Sequence, residues 1–311
     1  MSRLTKAGPY LVFLSAMLWA TDAPIRSQLI GKFSSNFIVL IEHLIDVIIV
    51  LPVLWWARKE FALLGKKQWL AVLAIGVGGS ALATIAFTQS FHYVSPSVAI
   101  LLQKLQPLLV IALAVGCLKE VMSKNFWIWG VIALVSAYLI SFPGLNPGPL
   151  LINGSLSPQL MGAGLAVLAA MLWGASTVLG KYVLNSVSFR AMTSLRFVIA
   201  AVFLLFLNLY EKTLPIIAEI SSRDFALLAA TAITSGVVSL FIYYYGLQRS
   251  KASVATLAEL GFPVAAIMIN WIFLKIPLNS VQLLALVILL FAVYQLGRVN
   301  ANSAENNLVN N

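Results

Sequence analysis

Charge is what this chain has least of. Only 10% of its 311 residues are Asp, Glu, Lys or Arg, and 61% are hydrophobic. A soluble domain carries about 25% charged residues, so a water-surrounded globule is excluded and lipid must surround most of the chain. Cysteine is nearly absent. Cys117 stands alone, which excludes an internal disulfide and a thiolate metal cluster, and its expected place is a buried apolar one. Histidine is almost as scarce. His43 and His92 lie 49 residues apart with no His-Glu-x-x-His run, and no glycine-rich phosphate loop is present. An intramembrane metalloenzyme therefore lacks ligands, and direct hydrolysis of ATP lacks its cradle. The sequence calls for no cofactor and no metal. The net charge of +10 resides in short connectors between apolar runs. That placement suits anionic lipid headgroups and excludes a nucleic-acid face.

What is abundant is repetition. Leu14-Ser15-Ala16-Met17-Leu18-Trp19 returns 154 residues later as Leu168-Ala169-Ala170-Met171-Leu172-Trp173. Deeper in each half, Ser97-Val98-Ala99 and Pro107 return 156 residues later as Ser253-Val254-Ala255 and Pro263. Two related hydrophobic halves read as a duplicated membrane protein with a solute path between them.

Ten apolar segments are expected to be helical, near 7–26, 37–56, 68–90, 95–117, 125–142, 160–182, 189–210, 224–246, 252–273 and 279–298. Most reach the ~20 residues that cross a hydrocarbon core. The fold class is thus an all-α membrane protein of ten transmembrane helices. Residues 1–142 form a first repeat, 143–159 an extracytoplasmic linker, 160–298 a second repeat and 299–311 a disordered cytoplasmic tail. The apolar stretch 9–25 begins the repeat, so it is expected to stay rather than be cleaved as a signal peptide. With the N-terminus in the cytoplasm, 13 of the 20 Lys and Arg residues fall on that side. Only Arg26, Lys32, Lys212, Arg223 and Lys275 fall on the other, and Lys104 and Arg196 lie inside spans. This bias sets the orientation. Five spans per half make the two repeats inverted, the arrangement that supports alternating access.

The chain resembles the EamA family of the drug/metabolite transporter superfamily. The resemblance rests on the ten-span duplication and on Ala16-Met17-Leu18-Trp19-Ala20 with Ala170-Met171-Leu172-Trp173-Gly174. It extends through Tyr93-Val94-Ser95-Pro96-Ser97-Val98-Ala99, Leu105-Gln106-Pro107 and Leu118-Lys119-Glu120, although Leu274-Lys275-Ile276 lacks the matching acid. The resemblance implies a secondary transporter of small metabolites in a bacterial-type inner membrane, not an enzyme.

Polar groups at membrane depth narrow the site. Glu42 and Asp46 are four apart on one helix face, with His43 placed to bond either. Gln103, Lys104 and Gln106 precede Pro107. Arg196 matches Glu42 at the first repeat offset, and Glu259 matches Gln103 at the second. One reading is a midplane cavity. There Lys104 or Arg196 holds a carboxylate, while Glu42, Asp46 or Glu259 holds an amine or carries a coupling proton. That set suits a zwitterion such as an amino acid, with a drug or other organic solute as the alternative. The other reading is that these groups pair with one another and only join helices. Lys104 is expected against Glu42, Asp46 or Glu259, and Arg196 either lines the path or snorkels to headgroups. Trp19 and Trp173 wall the cavity or pack. Pro107 and Pro263 are expected to bend their helices.

Overall fold

The computed structural model describes residues 7–94, 96–141, 158–273 and 279–309. Every regular element among those residues is a helix. In chain order the helices are α1 (Gly8–Trp19), α2 (Asp22–Arg26), α3 (Ser35–Ala57), α4 (Lys66–Ala74), α5 (Ala83–Ser90), α6 (Pro96–Gln103), α7 (Gln106–Leu118) and α8 (Lys124–Ser141). The second half supplies α9 (Pro158–Val183), α10 (Phe189–Tyr210), α11 (Ser222–Thr231), α12 (Ser239–Gln248), α13 (Ala252–Ala258), α14 (Gly261–Phe273) and α15 (Ser280–Val309). Among the described residues, six continuous helical stretches are long and apolar enough to cross a membrane. Shorter apolar helices include Gln106–Leu118, Lys124–Leu139 and Ala252–Ala266.

Local chemistry sets the helix starts. The hydroxyls of Ser34, Ser188 and Ser221 accept from the backbone N–H groups of Phe37, Ala191 and Asp224 at 3.1–3.3 Å. These are serine N-caps of α3, α10 and α11. Lys119 ends α7 in the left-handed region at φ 56°.

Three expected helices are interrupted. The first breaks at Ala20-Thr21, between α1 and α2. The two expected to bend at proline are broken outright. One breaks at Lys104-Leu105, between α6 and α7, and the other at Glu259-Leu260, between α13 and α14. A proline removes its own N–H and crowds the carbonyl four residues back. For Pro107 and Pro263 those residues are Gln103 and Glu259, so each break falls where the ladder is lost. A further irregularity recurs in both halves. α4 and α5 are joined by a π-helical stretch, Ile75–Leu82, and α11 and α12 by another, Ala232–Val238.

Packing is reciprocal. α3 lies along α10, and each also packs on the other half's π stretch. α1 packs on α12, α13 and α14, while α9 packs on α5, α6 and α7. α8 lies along α15. Glycines permit the close approaches. A Cβ on Gly79 would collide with the side chain of Ser176 in α9, and one on Gly76 would stand 2.5 Å from Ile199 in α10.

Other expectations shift. α15 continues to Val309, so the stretch whose composition suggests a disordered tail is helical to that point. Cys117 is exposed rather than buried. Residues 143–157 of the linker and Leu274-Lys275-Ile276 lie outside the described residues.

Candidate functional site

A cavity of about 150 Å³ lies where the two halves meet. The first half contributes Trp19, Asp22, Arg26, Glu42, Asp46 and Phe87, among others, and the second contributes Trp173, Arg196, Phe197, Gly236, Tyr243 and Glu259. Gln103 and Gln106 reach it from the break between α6 and α7, and Phe262 from the start of α14.

Its walls are largely aromatic. The rings of Trp19 and Tyr243 stand 5.3 Å apart, and those of Trp173 and Phe87 stand 5.2 Å apart, edge to face. Each matched tryptophan thus meets an aromatic ring on a helix of the other half, α12 or α5.

The charged groups are mostly engaged with protein. Arg26 is only 3% exposed. Its guanidinium donates to Asp22 at 2.8 Å, to Glu42 Oε2 at 2.9 Å and to Thr88 Oγ1 at 3.0 Å. The composition reading counts Arg26 as a charge in an outer loop. In the fold it is the buried centre of an ion-paired cluster, which ties α2 to α3 and α5. The sequence signal for it is the four-residue spacing from Asp22, which puts both on one turn.

Arg196 is 7% exposed and sits inside the protein, so it does not snorkel. It donates to Ser80 Oγ at 2.5 Å, Tyr244 Oη at 2.8 Å and the Gly79 carbonyl at 2.9 Å. Ser80 and Gly79 belong to the first π stretch, whose irregular turn presents them to α10.

Glu259 stands at the break between α13 and α14. It accepts from Gln106 Nε2 at 2.7 Å and from Tyr243 Oη at 2.9 Å. The Gln106–Glu259 bond joins the two broken helices across the halves. Thr177 Oγ1 lies 2.7 Å from the Tyr243 hydroxyl and extends this chain of polar contacts.

Lys104 departs from expectation. It lies off the main cavity, in a neighbouring recess of about 20 Å³ that shares Trp19, Gln103, Gln106, Glu259 and Phe262. Its ammonium rests 4.3 Å from the centre of the Phe262 ring. Among the described residues it forms no close ion pair with Glu42, Asp46 or Glu259; Glu42 is paired with Arg26, and Glu259 in the same recess is the carboxylate whose charge Lys104 feels. His43 also departs. Its Nδ1 is 2.9 Å from the Val39 carbonyl one turn back. A carbonyl only accepts, so Nδ1 carries the proton and is not directed at either carboxylate.

Asp46 is buried beside Gly236 of the second π stretch. Sequence reasoning passes over Phe87, Ser80, Thr177 and Gly236, which look like ordinary residues of apolar helices. Their only sequence signal is proximity to the glycines and repeats.

Comparison with known proteins gives the context. Residues 6–142 and 160–298 each match the EamA-like transporter family. A riboflavin transporter, ImpX, of Fusobacterium nucleatum is 26% identical over 94% of this chain and 98% of its own length. An uncharacterized transporter, YetK, of Bacillus subtilis is 20% identical over 92% of this chain and 86% of its own. The LicB protein of Haemophilus influenzae is 21% identical over 89% and 92%. One solved crystal structure superposes with a TM-score of 0.71 over 95% of this chain and 98% of that one. Its identity is 14%, a likeness of fold alone.

Proposed function

Because the chain belongs to the EamA-like transporter family through both of its halves, and so is a secondary transporter of small metabolites, we propose that its solute is a neutral aromatic one of the riboflavin class. The observation that carries this is the cavity between the halves, walled by Trp19, Phe87, Trp173 and Tyr243. Flat aromatic faces favour a planar solute. The similarity to a riboflavin transporter points the same way.

The zwitterion reading needs a basic group free to take a carboxylate. Arg26 is held by Asp22 and Glu42, Arg196 by three oxygen acceptors, and Lys104 stands outside the main cavity. Geometry therefore favours the organic-solute alternative. Trp19, Glu42, Asp46, Gln103, Gln106, Trp173, Arg196 and Glu259 form the proposed solute site, and Lys104 adjoins it.

The molecule is a multi-pass protein of the inner membrane. We read it as ten spans in two inverted repeats with both termini cytoplasmic. The reciprocal packing of the halves and the bias of basic residues support that reading.

Purified protein in proteoliposomes should move radiolabelled riboflavin, and a panel of amino acids should compete weakly. Lys104→Met should leave riboflavin flux within about twofold, since Lys104 stands outside the main cavity and holds none of the solute-facing groups. Saturable amino-acid flux without riboflavin flux, or abolition of flux in a correctly folded Lys104→Met, would sink the proposal.

A further inference from the structure

The polar lining of the cavity is lopsided. Four carboxylates, Asp22, Glu42, Asp46 and Glu259, face it with two guanidinium groups, Arg26 and Arg196. Beyond that excess, three acceptor atoms have no donor among the described residues: Glu42 Oε1, Asp46 Oδ1 and Gln103 Oε1. Asp46 is 2% exposed and Glu42 4%, one turn apart on α3. Buried acceptors in native proteins nearly always find a donor, so an unmet set within one cavity calls for a partner from outside the chain.

Nearby hydroxyls do not supply it. Ser235 donates to the Thr231 carbonyl at 2.9 Å, Thr231 to the Leu227 carbonyl at 3.1 Å, and Thr177 is 3.2 Å from the Trp173 carbonyl. Ser235 and Thr231 thus serve their own helix, and Thr177 is also engaged with the Tyr243 hydroxyl. The wall beside Asp46 is also closely fitted. A Cβ on Gly236 would stand 2.7 Å from Asp46 Oδ1. Any larger residue at that point of the π stretch would press on the oxygen and displace Asp46 from the cavity wall.

We propose that Glu42, Asp46 and Gln103 form an acceptor edge that recognises the solute by its N–H and O–H donors and rejects anionic forms of the same solute. The ligand class is a neutral solute with two or more donors, such as a flavin with its ring imide and side-chain hydroxyls. The proposal rests on the reading that aromatic walls hold the solute's ring. It adds which edge of the solute is read and which charge is refused. A phosphate or carboxylate group offers these oxygens only further acceptors, and unmet acceptors penalise a solute lacking donors.

The test uses matched pairs in proteoliposomes: riboflavin against its 3-methyl derivative, lumiflavin and its phosphate ester, and a nucleoside against its O-methylated form. Wild type should take the donor-bearing member about tenfold better than at least one blocked partner and than the phosphate ester. Asp46→Asn, which adds a donor where an acceptor is required, should shrink that ratio to about threefold or less. Gln103→Met, which removes the acceptor while keeping the length, should do the same, and it serves if Asp46→Asn fails to insert. Glu42 is left intact because its other oxygen holds Arg26. If riboflavin is not moved but the nucleoside pair is discriminated, the flavin assignment falls and the edge stands. If riboflavin is moved but blocked and unblocked partners fall within threefold, or the variants lower both members equally, the edge is overturned and the flux assignment stands. A panel in which no donor-bearing member binds overturns both.

Discussion

Arg26 is the residue on which the cavity's inner order depends most. It is buried, and it neutralises Asp22 and one oxygen of Glu42 at the same time. Removing one partner from a buried ion pair leaves the others uncompensated, at a typical cost of about 3–5 kcal/mol. Arg26→Met should therefore lower the unfolding midpoint in detergent far more than Lys104→Met. The double variant Arg26→Met/Glu42→Gln should recover part of the loss, because one of the stranded carboxylates is gone. Equal midpoints for Arg26→Met and wild type would contradict the cluster. At this scale the sequence is informative about position and weak about pairing. Glu42, Asp46, Arg196 and Glu259 stand out because ionisable groups at membrane depth are costly, and all four line the cavity. Which group meets which depends on helix rotation and on neighbours far apart in sequence. The contact distance of Lys104, which shares a recess and an electrostatic interaction with Glu259 without a close ion pair, and the His43 bond to its own helix both depend on such details. Arg26 is hidden among loop charges because it lies beyond the break at Ala20-Thr21, on a short helix whose burial no apolar run announces.

The helical elements carry their own signature in glycine. Hydrophobic length locates the helices, and proline locates two of the breaks. The π stretches have no periodic signal, because a single widened turn alters no pattern of apolar residues. What can be read is where glycine crowds. Gly76, Gly78 and Gly79 lie within Ile75–Leu82 and Gly236 within Ala232–Val238. A glycine alone does not say whether it packs. Gly79 abuts Ser176, whereas Gly116 and Gly164 have nothing within 4 Å of a built Cβ. Gly79→Ala should therefore destabilise by about 1–3 kcal/mol through overpacking against α9. Gly116→Ala in α7 should be neutral or stabilising by up to ~1 kcal/mol, since it meets no neighbour and raises helix propensity. Thermal unfolding in one detergent would check both, and a larger loss for Gly116→Ala would contradict the packing assigned to the first π stretch.

Across the whole molecule, the two halves are joined differently at their two ends. At one end, carboxylates of the first half cap helices of the second. Glu60 accepts from the Ser188 N–H at 2.6 Å and its hydroxyl at 2.9 Å, at the start of α10. Glu120 accepts from Ala252 N–H at 2.7 Å and from Ser253 N–H and hydroxyl at 3.2 and 2.5 Å, at the start of α13. A carboxylate on helix N-terminal N–H groups makes charge-assisted bonds aided by the helix dipole. At the other end the halves meet through Lys32–Asp224, where Lys32 is 53% exposed, and through exposed contacts of Asn36 with Glu211 and Arg223 with Gln28. Exposed pairs of that kind contribute about 0–1 kcal/mol. That other end relies on apolar packing of Leu29, Phe33 and Phe37 with Leu228, whereas in polar contacts the Glu60 and Glu120 end is the firmer closure. Glu60→Gln/Glu120→Gln should weaken it by roughly 1–2 kcal/mol, enough to raise its open population about tenfold. Spin labels on cysteines at positions 59 and 190, in a background with Cys117 replaced, should then show longer and broader distances. Labels at 27 and 222 should stay unchanged. If both termini are cytoplasmic, a membrane-impermeant thiol reagent should reach positions 59 and 190 only from that face. Equal broadening at both ends would remove the distinction between them, and labelling of 59 and 190 from outside would reverse the orientation while leaving the clasp intact.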